Sequence, residues 1–142
     1  MNRLLASFVG CAALAAGAQE VPSELASAHT VTCKFGAGTR TAWVAGQPKT
    51  SDARMDNEVI FDSIDLAQGK VRVLANMRIA DAHVAMTPVG MFVLDGRPGM
   101  FDMTTIFASR DKDGSFPAVD THQLIGPAPS SEQYFGSCKL ER

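Results

Sequence analysis

The segment Glu58–Met77 reads EVIFDSIDLAQGKVRVLANM, which is two short runs joined by a turn-like tetrapeptide. The first run is Glu58 to Asp65, the tetrapeptide is Leu66 to Gly69, and the second run is Lys70 to Met77. Apolar residues recur at every second position of the second run, at Val71, Val73 and Ala75. A period of two is the pattern of a strand with one buried face, so this segment predicts a β-hairpin.

The same pattern continues on the N-terminal side of this hairpin. Val31, Cys33 and Phe35 alternate with polar residues and predict a strand. Gly36 to Gly38 is expected to form a turn, and Thr39 to Val44 a second strand that includes Trp43. Residues 45–55 are polar and contain Pro48, so we expect a loop there.

On the C-terminal side, further short strands are expected at residues 81–86, 91–94, 100–107, 118–124 and 133–140. Turn residues separate them, among them Asp113-Gly114, a favoured hairpin pair. Eight or nine short strands with no long helical pattern predict an all-β fold, an antiparallel up-and-down meander. We expect this meander to form a small barrel, closed or partly closed.

The first 18 residues have the features of a secretory signal peptide. Arg3 precedes an apolar run from Leu4 to Leu14, and Ala16 to Ala18 supplies small residues for cleavage. The run is shorter than the ~20 residues of a spanning helix. We therefore expect a signal peptide at 1–18, a flexible lead-in or single helical turn at 19–28, and one β-rich domain at 29–142. Processing as a lipoprotein at Cys11 is the alternative.

Export to the periplasm or the extracellular space predicts how the remaining two cysteines are used. Cys33 and Cys138 stand near the two ends of the expected domain, and an oxidising compartment favours a disulfide between them. In a closed meander the first and last strands are neighbours, which would place both cysteines at the seam. A reactive thiol pair or half of a metal site is the alternative.

The net charge of the chain indicates which classes of binding partner to expect. The leader contains one of the 13 basic residues and none of the 15 acidic ones, which leaves a net charge of −3 after cleavage. Because this balance lacks a basic excess, nucleic acid and anionic membranes are not expected as partners. No cofactor motif occurs, and no membrane span is expected; the sequence does not indicate an oligomeric state.

Three segments carry a resemblance: FDSIDLAQGK at 61–70, FPAV at 116–119 and QYFGSC at 133–138. With these, the chain resembles a group of small exported bacterial proteins of unassigned function. The resemblance implies export and a β-rich fold and assigns no catalytic residue. The chain is also similar in size, disulfide use and topology to exported barrel inhibitors of C-type lysozyme, but their Ser-Gly-x-x-Tyr inhibitory loop has no counterpart here.

Methionine and aromatic residues are concentrated between residues 77 and 107, with Trp43 outside that stretch. Such side chains either fill a core or line an adaptable apolar pocket. The residues proposed to contact a ligand are Trp43, Met77, Met86, Met91, Phe101 and Met103. A copper(I) site that uses His83 with Met86 is an alternative, although residues 83 and 86 of a strand point to opposite faces.

Polar residues offer weaker candidates. Asp120 and His122 share one face of a strand and are the candidate acid–base pair of a hydrolase, with Ser137 or Ser109 as nucleophile. Neither serine lies in a GxSxG elbow, and we interpret the pair as a solvated strand face. Asp62, Asp65 and Asp102 are interpreted as solvated strand edges and turn ends, and the calcium-like run Ser109–Asp120 as a plain hairpin loop.

The sequence therefore predicts an exported, non-enzymatic binding protein without a catalytic residue or a metal site. Its ligand is either a small apolar molecule in the barrel mouth or a protein surface. In the second case the protein is an inhibitor-like module whose contacts come from the loops 45–55 and 109–115. A hydrolase and a copper-binding protein are the remaining alternatives.

Overall fold

The computed structural model describes residues 23–141. It contains one short helix and nine strands: α1 Ser23–Ala26, β1 Val31–Val44, β2 Gln47–Arg54, β3 Glu58–Asp65, β4 Lys70–Ala75, β5 Arg78–Thr87, β6 Gly90–Arg97, β7 Met100–Phe107, β8 Phe116–Leu124 and β9 Ser130–Leu140. The predicted signal peptide and Cys11 lie outside the described residues. Within residues 23–141, no helix has the length and apolar character needed to cross a membrane.

All strand pairs are antiparallel, and eight of the strands close into a barrel. From β3 to β9 each strand pairs with the next one in sequence, and β1 pairs with both β3 and β9. β2 pairs with β1 alone and lies at the edge of the sheet. The structure confirms the predicted all-β meander and shows that the barrel is closed.

The predicted turn at Gly36–Gly38 is wrong, because β1 continues through these residues for 14 positions. The register against β9 shifts between Phe35 and Gly38, which is a β-bulge rather than a chain reversal. Glycine is needed at position 38 because a Cβ there would lie 2.1 Å from the carbonyl oxygen of Gln133. At this position the backbones of β1 and β9 approach too closely for any side chain.

The loop predicted at residues 45–55 is also wrong, because most of it forms β2. The reversal is the two-residue turn Ala45-Gly46, with φ of 51° and 76°, the left-handed values of a type I′ hairpin. Pro48 is tolerated because β2 is an edge strand: it lies opposite Trp43, whose N–H donates to the Pro129 carbonyl. The polar composition that predicted a loop belongs to an edge strand whose side chains are nearly all exposed.

Cys33 and Cys138 are directly paired in the register of β1 and β9 and form a disulfide. Both residues are fully buried. The bridge therefore lies at the seam where the first and last strands close the barrel, as predicted.

One end of the barrel is closed and apolar. α1 covers the end where β1 begins and β9 finishes, and Leu25 of α1 is fully buried there. Arg110 holds this end together, since its guanidinium pairs with Glu24 and lies 4.6 Å from the centre of the Phe116 ring. Next to Leu25, the interior of the barrel is filled by inward-pointing residues of several strands, among them Val31, Phe35, Phe61, Met91, Ile106 and Ala118.

Candidate functional site

Charged side chains cross the inner wall of the barrel at its other end. Arg40, Glu132, His122, Asp102 and Asp95 are directly opposed, pair by pair, on the successive strands β1, β9, β8, β7 and β6. We call these five residues the charged belt. Side chains usually fill the interior of a barrel this small, and charged residues are rarely buried unless they are paired. The belt therefore distinguishes this end of the barrel from the apolar end.

Neutralising partners hold the carboxylates of the belt in place. Arg78 pairs with Asp95, whose side chain is only 10% exposed. Arg97 Nη2 lies 2.9 Å from Asp102 Oδ2, and Arg40 Nε lies 3.3 Å from Glu132 Oε1. These pairs offset the repulsion between Asp95 and Asp102, two like charges that face each other across β6 and β7.

Asp120 lies one layer deeper and connects two strands. Its Oδ1 accepts a 2.6 Å hydrogen bond from the Thr104 hydroxyl, and its Oδ2 lies 2.7 Å from His122 Nε2. Asp120 is 4% exposed, so this carboxylate depends on both neighbours for the hydrogen bonds that water would otherwise provide. The interpretation of Asp120 and His122 as a solvated face is wrong, because both point into the barrel.

The Asp120 carboxylate raises the pKa of His122 through their hydrogen bond, against the opposing effect of burial. Asp102 and Glu132, on the strands either side, raise it further. Tyr134 packs edge-on against the His122 ring at 5.5 Å between ring centres and donates a 2.6 Å hydrogen bond to Glu132. Burial, followed by that hydrogen bond, raises the pKa of Tyr134 to about 12. The His122 imidazole is therefore biased toward its cationic form, and Tyr134 stays protonated.

A cavity of about 250 Å³ lies between the belt and the core. The apolar part of its lining consists of Met55, Val59, Phe61, Val73, Ala75 and Val93. The rest of the lining consists of the uncharged polar residues Asn57, Asn76 and Thr104 and the charged residues Arg78, Asp95, Arg97, Asp102, Asp120 and His122. The volume is about 250 Å³, just below the ~300–1,000 Å³ of typical ligand pockets, so the space would take only a small molecule.

Asp102 Oδ1 is buried and has no hydrogen-bond partner among the described residues. Its second oxygen, Oδ2, is the one held by Arg97. A buried acceptor without a donor costs about 1–3 kcal/mol. One of the residues that line the cavity therefore has a buried oxygen without a donor.

None of the six residues predicted to contact a ligand lines this cavity. Trp43 is 54% exposed on the outer side of the β1–β2 ribbon, and Met77 is fully exposed in the β4–β5 turn. Met91 is fully buried in the core, and Met86 packs against it. Phe101 and Met103 are on the outer wall, because the alternate residues of β7, Asp102 and Thr104, face the cavity.

The other polar candidates serve local structure. Asp62 pairs with Arg72 and accepts hydrogen bonds from Thr30 and Ser63, contacts that lower its pKa to about 2. Asp65 accepts the backbone N–H of Gln68 at 2.9 Å and closes the β3–β4 turn. In the loop before β8, Asp113 accepts both the N–H and the hydroxyl of Ser115.

The sequence did contain a signal for the residues that were missed, since strand parity identifies them. Phe116 and Ala118 are buried on β8, and Asp120 and His122 continue the same parity. On β6, Asp95 continues the parity of the buried Met91 and Val93. A run of apolar residues at alternate positions that ends in charged residues of the same parity indicates an interior that becomes polar at one end.

Among residues 23–141, no group of three or more histidine, cysteine, aspartate or glutamate side chains is arranged to hold a metal ion. No known family, curated protein or solved structure matches this chain in sequence or fold.

Proposed function

We propose that this chain is an exported, non-enzymatic binding protein that holds a small molecule in the open end of its barrel. The observation that supports this most is the placement of six charged residues around one cavity inside a barrel. Removing a charged group from water costs several kcal/mol per ion. The attraction between paired ions offsets this cost only if the geometry of the pair is excellent. Well-packed apolar residues would stabilise a barrel interior at least as well, and departures of this kind from the packing rules are expected at functional sites.

The mixed lining of the cavity supports the same proposal. Val59, Phe61, Val73 and Val93 offer an apolar surface, while Arg78, Asp102 and His122 offer hydrogen-bonding groups. Ligand sites usually combine a mainly apolar lining with a few placed polar groups. The Cys33–Cys138 disulfide supports export, because such bonds persist in oxidising compartments.

Chemical-shift mapping by NMR with a library of small fragments tests this proposal. We expect bound fragments to shift the amides of the cavity residues on β3, β4, β6 and β7. Val93→Phe, which fills the cavity, should abolish these shifts. Val89→Phe introduces the same side chain at an exposed position outside the cavity and should leave them intact. If no fragment shifts the cavity amides, or if Val93→Phe leaves binding unchanged, the proposal is wrong.

A second candidate function is acid–base catalysis, which the 2.7 Å contact between Asp120 and His122 inside the cavity favours. A carboxylate that orients an imidazole is the usual arrangement for a general base. The hydroxyl nearest to the pair, that of Thr104, donates to Asp120 and not to His122. An activity found in the purified protein and lost in His122→Ala, with the fragment-binding site retained, would establish catalysis instead of binding alone.

A further inference from the structure

The charges around the cavity cancel one another. Among the fifteen residues that line it, three are carboxylates and three are basic. Each carboxylate contacts one of the basic side chains: Asp95 with Arg78, Asp102 with Arg97, and Asp120 with His122. With His122 protonated, the lining has no net charge.

This charge balance determines which ligands can enter the cavity without a cost in electrostatic free energy. A ligand with a formal charge would lose its hydration shell in the cavity. Because each charged side chain of the lining is already paired, the ligand would have to break one of the three pairs or remain without a counterion. Both outcomes are costly in a partly buried site. An uncharged ligand leaves all three pairs intact and gains the contacts with Val59, Phe61, Val73 and Val93.

A second observation concerns hydrogen bonding. Asp102 Oδ1 is a buried acceptor without a donor among the described residues. A hydroxyl or amide N–H group of a ligand is an uncharged donor that would satisfy this oxygen when the Asp102 carboxylate turns toward the cavity. An ammonium group would also donate, but it would add a charge that the lining does not compensate.

We infer that the ligand is a small uncharged molecule with an apolar body and at least one hydroxyl or amide donor, held with that donor at the Asp102 side of the cavity. This inference rests on the proposed function and names the class of its ligand. The three ion pairs determine specificity: they exclude anions and cations alike, and the apolar lining residues accept the body of the molecule.

Three probes with the same carbon skeleton test the inference: phenylmethanol, benzylammonium and benzoate. They differ in charge and share a phenyl ring that the apolar part of the cavity can take. Binding is measured near pH 6, where His122 is protonated, by the shifts of the cavity amides in NMR titrations. We expect phenylmethanol to bind at least about tenfold more tightly than either charged probe, because only the charged probes bury an uncompensated ion.

Two variants change the charge of the lining in opposite directions. Arg78→Met leaves Asp95 unpaired, and the preference should move toward benzylammonium. Asp95→Asn leaves Arg78 unpaired, and the preference should move toward benzoate. The double variant Arg78→Met/Asp95→Asn restores neutrality and should restore the preference for phenylmethanol. This reversal and its rescue cannot arise from general destabilisation, so the test holds even where one single variant folds poorly.

The outcomes separate the two proposals. If the cavity amides respond best to benzylammonium or benzoate in the unsubstituted protein, the ligand class is wrong while the binding site stands. If none of the three probes and no fragment shifts these amides, the binding site itself is wrong. The methyl ether of phenylmethanol lacks the donor and should bind more weakly than the alcohol, and equal affinity would overturn the role of Asp102.

Discussion

His122 is the residue of the cavity whose charge changes near neutral pH. Its pKa is raised above 6.5 in the folded protein, mainly by the hydrogen bond to Asp120. A cationic group with a raised folded-state pKa stabilises the fold fully below its unfolded pKa of ~6.5, and this stabilisation is lost as the pH rises through the folded pKa. Stability and the charge of the cavity are therefore linked through one proton.

We expect the free energy of unfolding to decrease as the pH rises from ~6.5 through the folded-state pKa of His122. Asp120→Asn should reduce this decrease, because the hydrogen bond to Asp120 is the largest of the effects that raise the His122 pKa, while burial lowers it. Urea unfolding at a series of pH values measures the slope, and NMR of the His122 ring gives the midpoint. His83→Gln, which removes an exposed imidazole from the outer face of β5, is the control. A slope in Asp120→Asn as steep as in the unsubstituted protein would contradict the assignment.

Hairpin β4–β5 shows a conformational cost at the level of an element. Its two-residue turn is Asn76-Met77, with φ of 48° and 62°. The left-handed conformation suits Asn but costs most other residues about 1–2 kcal/mol. Met77 is fully exposed and gains no packing there in return.

Met77→Gly should therefore raise the free energy of unfolding by about 0.5–1 kcal/mol, since an Asn-Gly pair is favoured in a type I′ turn. Part of the relief is offset by the greater freedom of glycine in the unfolded chain. Asn76→Gly is the matched control and should have a smaller effect, because Asn already tolerates this conformation. Thermal unfolding of both variants measures the difference, and a loss of stability in Met77→Gly would count against this account.

Strands β1 and β9 meet so closely that only glycine fits at certain positions. A Cβ at Gly136 would lie 2.2 Å from the Lys34 carbonyl oxygen and 2.7 Å from the Phe35 ring. Gly36, on the same pair of strands, has no heavy atom within 4 Å of the corresponding point. The two glycines therefore have opposite roles in one seam.

Gly136→Ala should lower the free energy of unfolding by about 1–3 kcal/mol or more, because the backbone of the seam must separate. Gly36→Ala should be neutral or slightly stabilising, since it only restricts the unfolded chain. Urea unfolding of the two variants compares them directly. If both variants lowered the free energy of unfolding by similar amounts, the close approach of β1 and β9 would not be the reason for glycine at position 136.

The local pattern of apolar and turn residues was enough to predict some strands but not others. The bounds of β3 and β7, Glu58–Asp65 and Met100–Phe107, follow from alternation and turn residues alone. Gly36–Gly38 was read as a turn because glycine permits both a turn and a bulge. The choice between them depends on contacts with β9, about 100 residues away in sequence. The β2 edge strand was missed for a similar reason, since polar residues also occupy strands with two wetted faces.

The candidate site was only partly predictable. Asp120 and His122 were identified as a pair on one strand face, but the direction of that face was misjudged. Polar residues at alternate positions usually face water, and here they face inward because Phe116 and Ala118 fix that side of β8 in the core. The other polar residues of the cavity, among them Arg78, Arg97, Asp95 and Thr104, come from three other strands, so only the closed barrel brings them together with this pair.

At the scale of the whole molecule, the disulfide joins two ends of a long loop. Cys33 and Cys138 are 105 positions apart, and a loop of about 100 residues is stabilised by up to ~4.7 kcal/mol in the chain-entropy model. Cys33→Ala/Cys138→Ala should lower the free energy of unfolding by about 3–5 kcal/mol. Urea unfolding under oxidising and reducing conditions measures the effect. No difference between the two conditions would show that the paired strands close the barrel unaided.

The covalent bond at the seam also decides how the molecule would bear mechanical load. Tension applied outside the two cysteines passes through Sγ–Sγ, so nearly the entire folded chain is bypassed and carries no force. Once the bond is reduced, the same tension reaches Val31 and Leu140, which lie side by side at one extremity of their ladder. The hydrogen-bonded residue pairs of β1 and β9 would then separate one after another. Single-molecule stretching should record no lengthening of the domain before reduction and a lengthening of the domain after it.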